Sequence, residues 1–229
     1  MAELSPLQEA VIRQYKGISF EELNAMYDDE NDPMSMDMDE YFDDMDLTDS
    51  QKKDRKESAD KLKEIFELLI MMVFYYYVDG VYDYANVIAE AQESYENLVR
   101  KSKGQVSDYF MSAHIPNSVA GIVNTMLNNP GNPFNFSIDR VTMIAENEAN
   151  SMWNDADFVA AVNSGKTRKT WHTIIDRKTR DWHAEVNGQT KPIMEPFIVD
   201  GELLQFPRDE SLGASGGNIV NCRCSVSYS

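Results

Sequence analysis

The sequence predicts an α+β fold, with a helical N-terminal half followed by a helix and a small antiparallel β-sheet module. Apolar residues recur at helical spacing between cap signals as far as Asn163. After Gly165 the chain turns to short β-branched and aromatic runs divided by turn-forming pairs. A chain of 229 residues with 42% hydrophobic content can bury a core, which excludes wholesale disorder. Three units are expected: an acidic arm with short helices (1–49), a helical domain (50–137) and an α+β module (138–229).

In the arm, Ser5-Pro6 reads as a cap followed by proline in the first helical turn, and Ser19 with Glu22 has the spacing of a capping box. From Asp28 to Asp49 the chain carries eleven acids and no base. Such a run reads as a solvated linker, because self-repulsion opposes an autonomous helix. A sharper reading uses the interleaved Met34, Met36, Met38, Tyr41, Phe42 and Met45, which could dock an extended segment on a basic groove. Calcium is set aside, because the stretch lacks the glycine that an EF-hand loop requires.

A helix expected from Ser50 to Val78 begins charged and ends apolar on all sides, as when a helix runs from solvent into a core. Gly80 closes it. A second helix, Tyr82 to Lys103, has its apolar residues at helical spacing. Arg100, Lys101 and Lys103 lie in its last turn, where the helix dipole favours cations. Shorter helices are expected over Val106–His114 and Ser118–Asn128. Asn128–Ser137 is dense in turn formers, and Ser137 then caps a helix from Ile138 to Asn163. Beyond it, Thr170–Ile175 reads as a strand. Val186-Asn187-Gly188-Gln189 and Asp200-Gly201 read as hairpin turns. The tail reads as a strand with Val220, Cys222, Cys224 and Val226 on one face.

The formal net charge of −18 is unevenly placed: the first 137 residues hold 11 bases and 26 acids (−15), and the remainder 10 and 13 (−3). The arm therefore suits a basic protein surface and repels nucleic acid and anionic lipid. The start of the chain lacks the pattern of a signal peptide, and the longest apolar run, Leu68–Val78, is far short of the roughly 18 residues that span a bilayer. No membrane partner is expected. Two cysteines at i and i+2, Cys222 and Cys224, are badly placed to bridge each other, so the chain reads as made in a reducing compartment.

Chemistry-bearing residues concentrate near the C-terminal end. Trp171, Asp176, Arg177, Arg180 and His183 fall within thirteen residues, and Asn221-Cys222-Arg223-Cys224 follows. Two thiols with His183 are elements of a zinc site, with Asp176, His172 or water as the fourth ligand. The plainer reading packs both cysteines as small apolar residues. A basic set, Lys166, Arg168, Lys169, Arg177, Lys178 and Arg180, stands near Trp171 and Trp182 and could touch DNA phosphates, against the alternative of a solvated face.

Trp171, then Asp176-Arg177-x-x-Arg180-x-x-His183, Gly188, Pro196-Phe197, Pro207 and the closing Asn-Cys-Arg-Cys together resemble the Mu F-like head morphogenesis family of tailed phages. Arg140, Ile144, Ala145, Glu146 and Asn150 fit the family's upstream helix. The resemblance spans about Ile138 to Tyr228, with Glu146-Asn147-Glu148 and His172 as mild departures. It implies a minor head protein made in the host cytoplasm and lodged in the procapsid or virion interior. Its partners would be the portal and other head proteins, with packaged DNA a further candidate, and its work would be head assembly or DNA delivery. No cofactor is required by that role, and zinc is the metal the His183, Cys222 and Cys224 donors would take. In this reading Trp171, Asp176, Arg177, Arg180, His183, Asn221 and Arg223 form a structural polar network and no residue is catalytic. The alternative is a nuclease-like enzyme, with His183 as base, Asp176 orienting it, and Arg177 and Arg180 on phosphate.

Overall fold

The computed structural model describes residues 15–20, 22–23, 41–81, 83–102 and 104–229. The helix expected after Pro6, the acids before Tyr41, and Met34, Met36 and Met38 lie outside the described residues. Where the arm is described, the Ser19 capping box forms: Ser19 N donates to Glu22 Oε2 at 2.8 Å and Glu22 N donates to Ser19 Oγ at 3.1 Å.

Helix α1 spans Asp49–Val78, opened by a second capping box between Thr48 and Gln51 that the sequence reading missed. Leu62, Phe66, Leu69, Ile70, Val73, Phe74 and Tyr77 lie buried along it at the expected period. Helix α2 spans Ala85–Lys101 and keeps Arg100 and Lys101 in its last turn. The two helices expected between Val106 and Asn128 are one continuous run. A π-helical turn, Phe110–His114, passes directly into α3, Ile115–Asn128. Pro116 explains the turn: it has no N–H for the ladder, and Ile115 N reaches back to Phe110 O just before it. Helix α4 spans Ile138–Asn163 as expected, with Arg140 N donating to the Ser137 hydroxyl at 3.1 Å.

One hydrophobic core runs from Tyr15 to Met152, so it crosses the boundary expected between 137 and 138. Helix α4 lies along α1 inside it, which buries α4 on nearly every side from Ala145 to Ala156. A smaller core gathers Trp171, Val186, Phe197, Val199, Leu204, Cys222 and Cys224.

Around that smaller core, β1 (Arg168–His172) pairs antiparallel with β2 (Thr190–Pro192) and with β5 (Ser225–Tyr228), giving the order β2-β1-β5. A short helix, α5 (Asp181–Glu185), lies between β1 and β2. Strand β1 ends before Ile175, because Thr173 N turns to Asn187 Oδ1 at 2.9 Å. The expected turn at Val186–Gln189 closes α5 and is not a hairpin. The hairpin at Asp200-Gly201 does form, between β3 (Phe197–Val199) and β4 (Glu202–Leu204). Its two corner residues take φ of 48° and 77°, the double positive φ of a type I′ turn.

The tail is not one strand. A short helix, α6 (Gly216–Ile219), precedes Asn221 at φ 56°, and pairing with β1 begins only at Ser225. Val220 is 46% exposed while both cysteines are buried, so the four residues share no face. The left-handed turn at Asn221 sends its N–H to Asn147 Oδ1 of α4 at 2.8 Å, away from any strand partner.

Candidate functional site

The middle of α4 carries amide and hydroxyl side chains at helical spacing: Asn147, Asn150, Ser151 and Asn154, all buried. Buried polar groups must find partners, and these find them in the C-terminal tail and in α1. Asn147 Nδ2 donates to Asn221 Oδ1 at 2.8 Å, Asn150 Nδ2 to Cys222 O at 3.1 Å, and Asn154 Nδ2 to Pro207 O at 3.1 Å. Arg208, buried and at φ 70°, donates to Ser151 Oγ at 2.7 Å, to Ile219 O at 2.5 Å and to Asn147 Oδ1. From the other side the fully buried Arg55 reaches Asn150, Asn154 and Asp157. This polar seam fixes the tail against the helical core.

The tail so fixed carries both thiols toward α5. His183 Nδ1 lies 3.4 Å from Cys224 Sγ and 3.6 Å from Cys222 Sγ, and all three side chains are buried. The neighbouring Cys224 thiol and His183 hold Cys222 well below its ordinary pKa despite burial, and the Cys222 sulfur together with burial pushes Cys224 up. Behind the imidazole, Nε2 faces Asn218 Oδ1 at 3.3 Å, and the Trp182 indole donates to the same oxygen at 2.7 Å. Beside the trio lies a cavity of about 20 Å³, bordered by Thr173, Thr179, Arg180 and the three donors.

The remaining residues singled out in the sequence are dispersed around this cluster. Asp176 accepts from Arg223, whose guanidinium donates at 2.7 and 2.6 Å, and from Lys178 N at 2.9 Å and Thr179 Oγ1 at 3.0 Å, and it makes no hydrogen bond to His183. Burial works to raise its pKa, but hydrogen bonds from Arg223 and Thr179 hold it below the ordinary carboxylate value. Arg180 donates to Val220 O at 2.7 Å. Trp171 is buried, and its indole donates to Thr173 Oγ1 at 3.0 Å. His172 leans to Asp46 at 3.0 Å, away from the thiols. Arg177 is exposed.

The basic set is broken up. Lys166, Arg168 and Lys178 are exposed, but Lys169 is fully buried. Its ammonium donates to Gln205 O at 2.7 Å and to Gln205 Oε1 at 2.5 Å, and it sits over the Phe158 and Phe197 rings. Burial lowers its pKa to about 8. Strand alternation turns Lys169 to the core side of β1, so it is withdrawn from any phosphate surface, and the buried Trp171 is no platform for stacking.

Sequence reasoning missed a second buried cluster. His114, in the π-helical turn, is held between Glu148 of α4, with Nε2 at 2.8 Å from Oε2, and Glu210 of the tail on Nδ1. Tyr95 of α2 donates to the same Glu148 oxygen at 3.1 Å. Burial alone would lower the His114 pKa, but the two carboxylates outweigh it and hold it at about 9. The sequence did hold a signal for the seam, in the uncharged polar residues repeating at 147, 150, 151 and 154. For His114 it held none, because its partners lie 34 and 96 residues away.

The family model described as Phage Mu protein F like protein matches residues 112–227, just over half of the chain. The match starts 138 − 112 = 26 residues ahead of the helix α4 start, so it takes in His114 and α3 as well as the tail. No curated protein and no solved structure matches the chain.

Proposed function

The chain belongs to the phage Mu protein F-like family, a family of phage head morphogenesis, and on that premise we propose that it is a minor structural protein of a tailed-phage head. It acts through protein–protein contacts in procapsid assembly or DNA delivery near the portal, and it resides in the procapsid or virion. No helix among the described residues is long and apolar enough to cross a membrane.

The observation that carries the structural role is the pairing of Asp176 with Arg223. A nuclease-like site needs that carboxylate beside His183 to orient a base. Here the carboxylate clamps the tail, Arg180 caps Val220 O, and His183 faces two thiols. These groups are engaged in holding the C-terminal segment in place, as expected of an assembly module whose surface must be rigid. The acidic N-terminal half, at −15 over 137 residues, suits a basic surface of a head partner.

The test is the protein's position and copy number in purified particles. Copies at the portal vertex of procapsids or virions support the role, and absence from both particles overturns it.

A further inference from the structure

Hydrogen-bond logic around His183 fixes which nitrogen carries its proton. An indole N–H can only donate, so the Asn218 atom 2.7 Å from Trp182 Nε1 is the amide oxygen. That oxygen can only accept, so the neutral His183 places its N–H on Nε2, at 3.3 Å from it. The Asn218 amide nitrogen is fixed in turn, donating to Val199 O at 3.1 Å and Glu202 Oε2 at 2.7 Å. The Nδ1 lone pair of His183 is therefore aimed at the two sulfurs.

One lone pair has one direction, yet two sulfurs flank it at 3.4 and 3.6 Å. A single S–H···N bond serves one of them, whereas an ion at the centre serves all three donors. Zinc bonds of about 2.3 Å to sulfur and about 2.0–2.1 Å to nitrogen, at a tetrahedral angle, give an N···S edge of about 3.6 Å. The observed edges match, and the three donor atoms lie within 4.8 Å of one another. The adjoining cavity of about 20 Å³ has room for one water, which would complete four-coordination.

We propose that His183 Nδ1, Cys222 Sγ and Cys224 Sγ bind a zinc ion that clips the tail to α5. Binding releases the two thiol protons, and Zn²⁺ with two thiolates is neutral in net charge, which suits a buried site. Asn218 is the positioning residue: it holds the imidazole in the ligating tautomer, as outer partners of metal-bound histidine do. The clip stands independently of the role in the head.

The test uses the full chain. Protein purified from zinc-supplied cells should retain one zinc per chain. Stripping with a chelator should lower the melting temperature, and returning zinc should restore it. Cobalt in place of zinc should give thiolate-to-cobalt charge-transfer absorption, lost in Cys222→Ser and in Cys224→Ser. Asn218→Ala, with all three ligands intact, should weaken affinity by about 10- to 100-fold. Wild-type protein whose melting temperature ignores zinc, and which gives no cobalt–thiolate absorption, overturns the proposal even if the variants fail to fold.

Discussion

The Tyr41 hydroxyl donates to the backbone carbonyl of Cys222 at 3.0 Å, joining residues 181 apart in the chain. Asn150 Nδ2 donates to the same oxygen at 3.1 Å, so the arm, α4 and the tail converge on one acceptor. Phe42 and Met45 are buried beside Tyr41, and Asp46 O accepts from Ser225 Oγ at 3.1 Å. The end of the acidic stretch thus docks on its own chain. Its apolar residues pack inward while Asp43 stays out, paired with Lys56 at 2.6 Å. Burial also pushes the Tyr41 pKa up to about 12, which keeps the phenol a donor across the ordinary pH range.

Removing that hydroxyl isolates its contribution. Tyr41→Phe keeps the ring and leaves Cys222 O with Asn150 as a donor, so the loss should be about 1 kcal/mol. Tyr41→Ala also removes the ring and should cost about 3–5 kcal/mol. Urea unfolding of both variants checks this, and equal losses would show that the hydroxyl carries the whole effect and the packing none.

His114 sets a pH dependence whose sign is fixed by its partners. Its folded pKa of about 9 exceeds the ordinary 6.5, so its contribution is complete below about 6.5 and is lost as pH rises through 9. Glu148 runs the other way. Burial raises its pKa, His114 outweighs that and lowers it overall, so its contribution is present above about 4.5 and is lost on acidification. Unfolding free energy should fall by a few kcal/mol, on the order of 3, between pH 6.5 and 9. His114→Gln should flatten that limb, and an unchanged slope in the variant would assign the dependence elsewhere.

What the sequence made legible was local. The Ser137 cap, the full length of α4 and the Asp200-Gly201 turn each follow from residues within a few positions of the feature. The π-helical turn before Pro116, the buried Lys169 and the broken tail were not legible, because distant partners decide them. Asn221 leaves the strand for Asn147, 74 residues away, and Lys169 is held by Gln205, 36 residues away. The candidate site divides the same way. Residue types alone brought His183, Cys222 and Cys224 together, but the pairing of Asp176 with Arg223 and the loss of Lys169 from the basic set needed the fold.

Arg208 should be among the least replaceable residues outside the apolar core. Truncation to Ala leaves Ser151 Oγ, Asn147 Oδ1 and Ile219 O without their shared cation in a buried seam. A hydrogen bond to a charged group is worth about 1.5–3 kcal/mol, and Asn147 Oδ1 and Ile219 O keep the Asn221 and Cys222 N–H groups as donors, so the loss should be about 2–4 kcal/mol. Thermal unfolding should show that loss, together with faster proteolysis of the tail after Ile219. A variant within about 0.5 kcal/mol of wild type, the range of ordinary surface changes, would mean that the seam does not depend on this arginine.

Two glycines should respond to the same substitution in opposite directions. Gly104 follows α2 and lies against α4, where an added Cβ would come within 2.8 Å of Ala156 Cβ and 3.2 Å of the Trp153 ring. Ala156 is held on a buried helix face and Trp153 is tied to Ser58 Oγ at 3.0 Å, so neither can move freely. Gly104→Ala should therefore destabilise by about 1–3 kcal/mol, the usual range for overpacking. Gly121 sits inside α3, exposed, with nothing within 4 Å of the same added atom. There only the backbone entropy of glycine is removed, and Gly121→Ala should stabilise by about 0.5–1 kcal/mol. Chemical denaturation of the pair measures both signs at once, and a stabilised Gly104→Ala would show that α4 does not approach the end of α2 so closely.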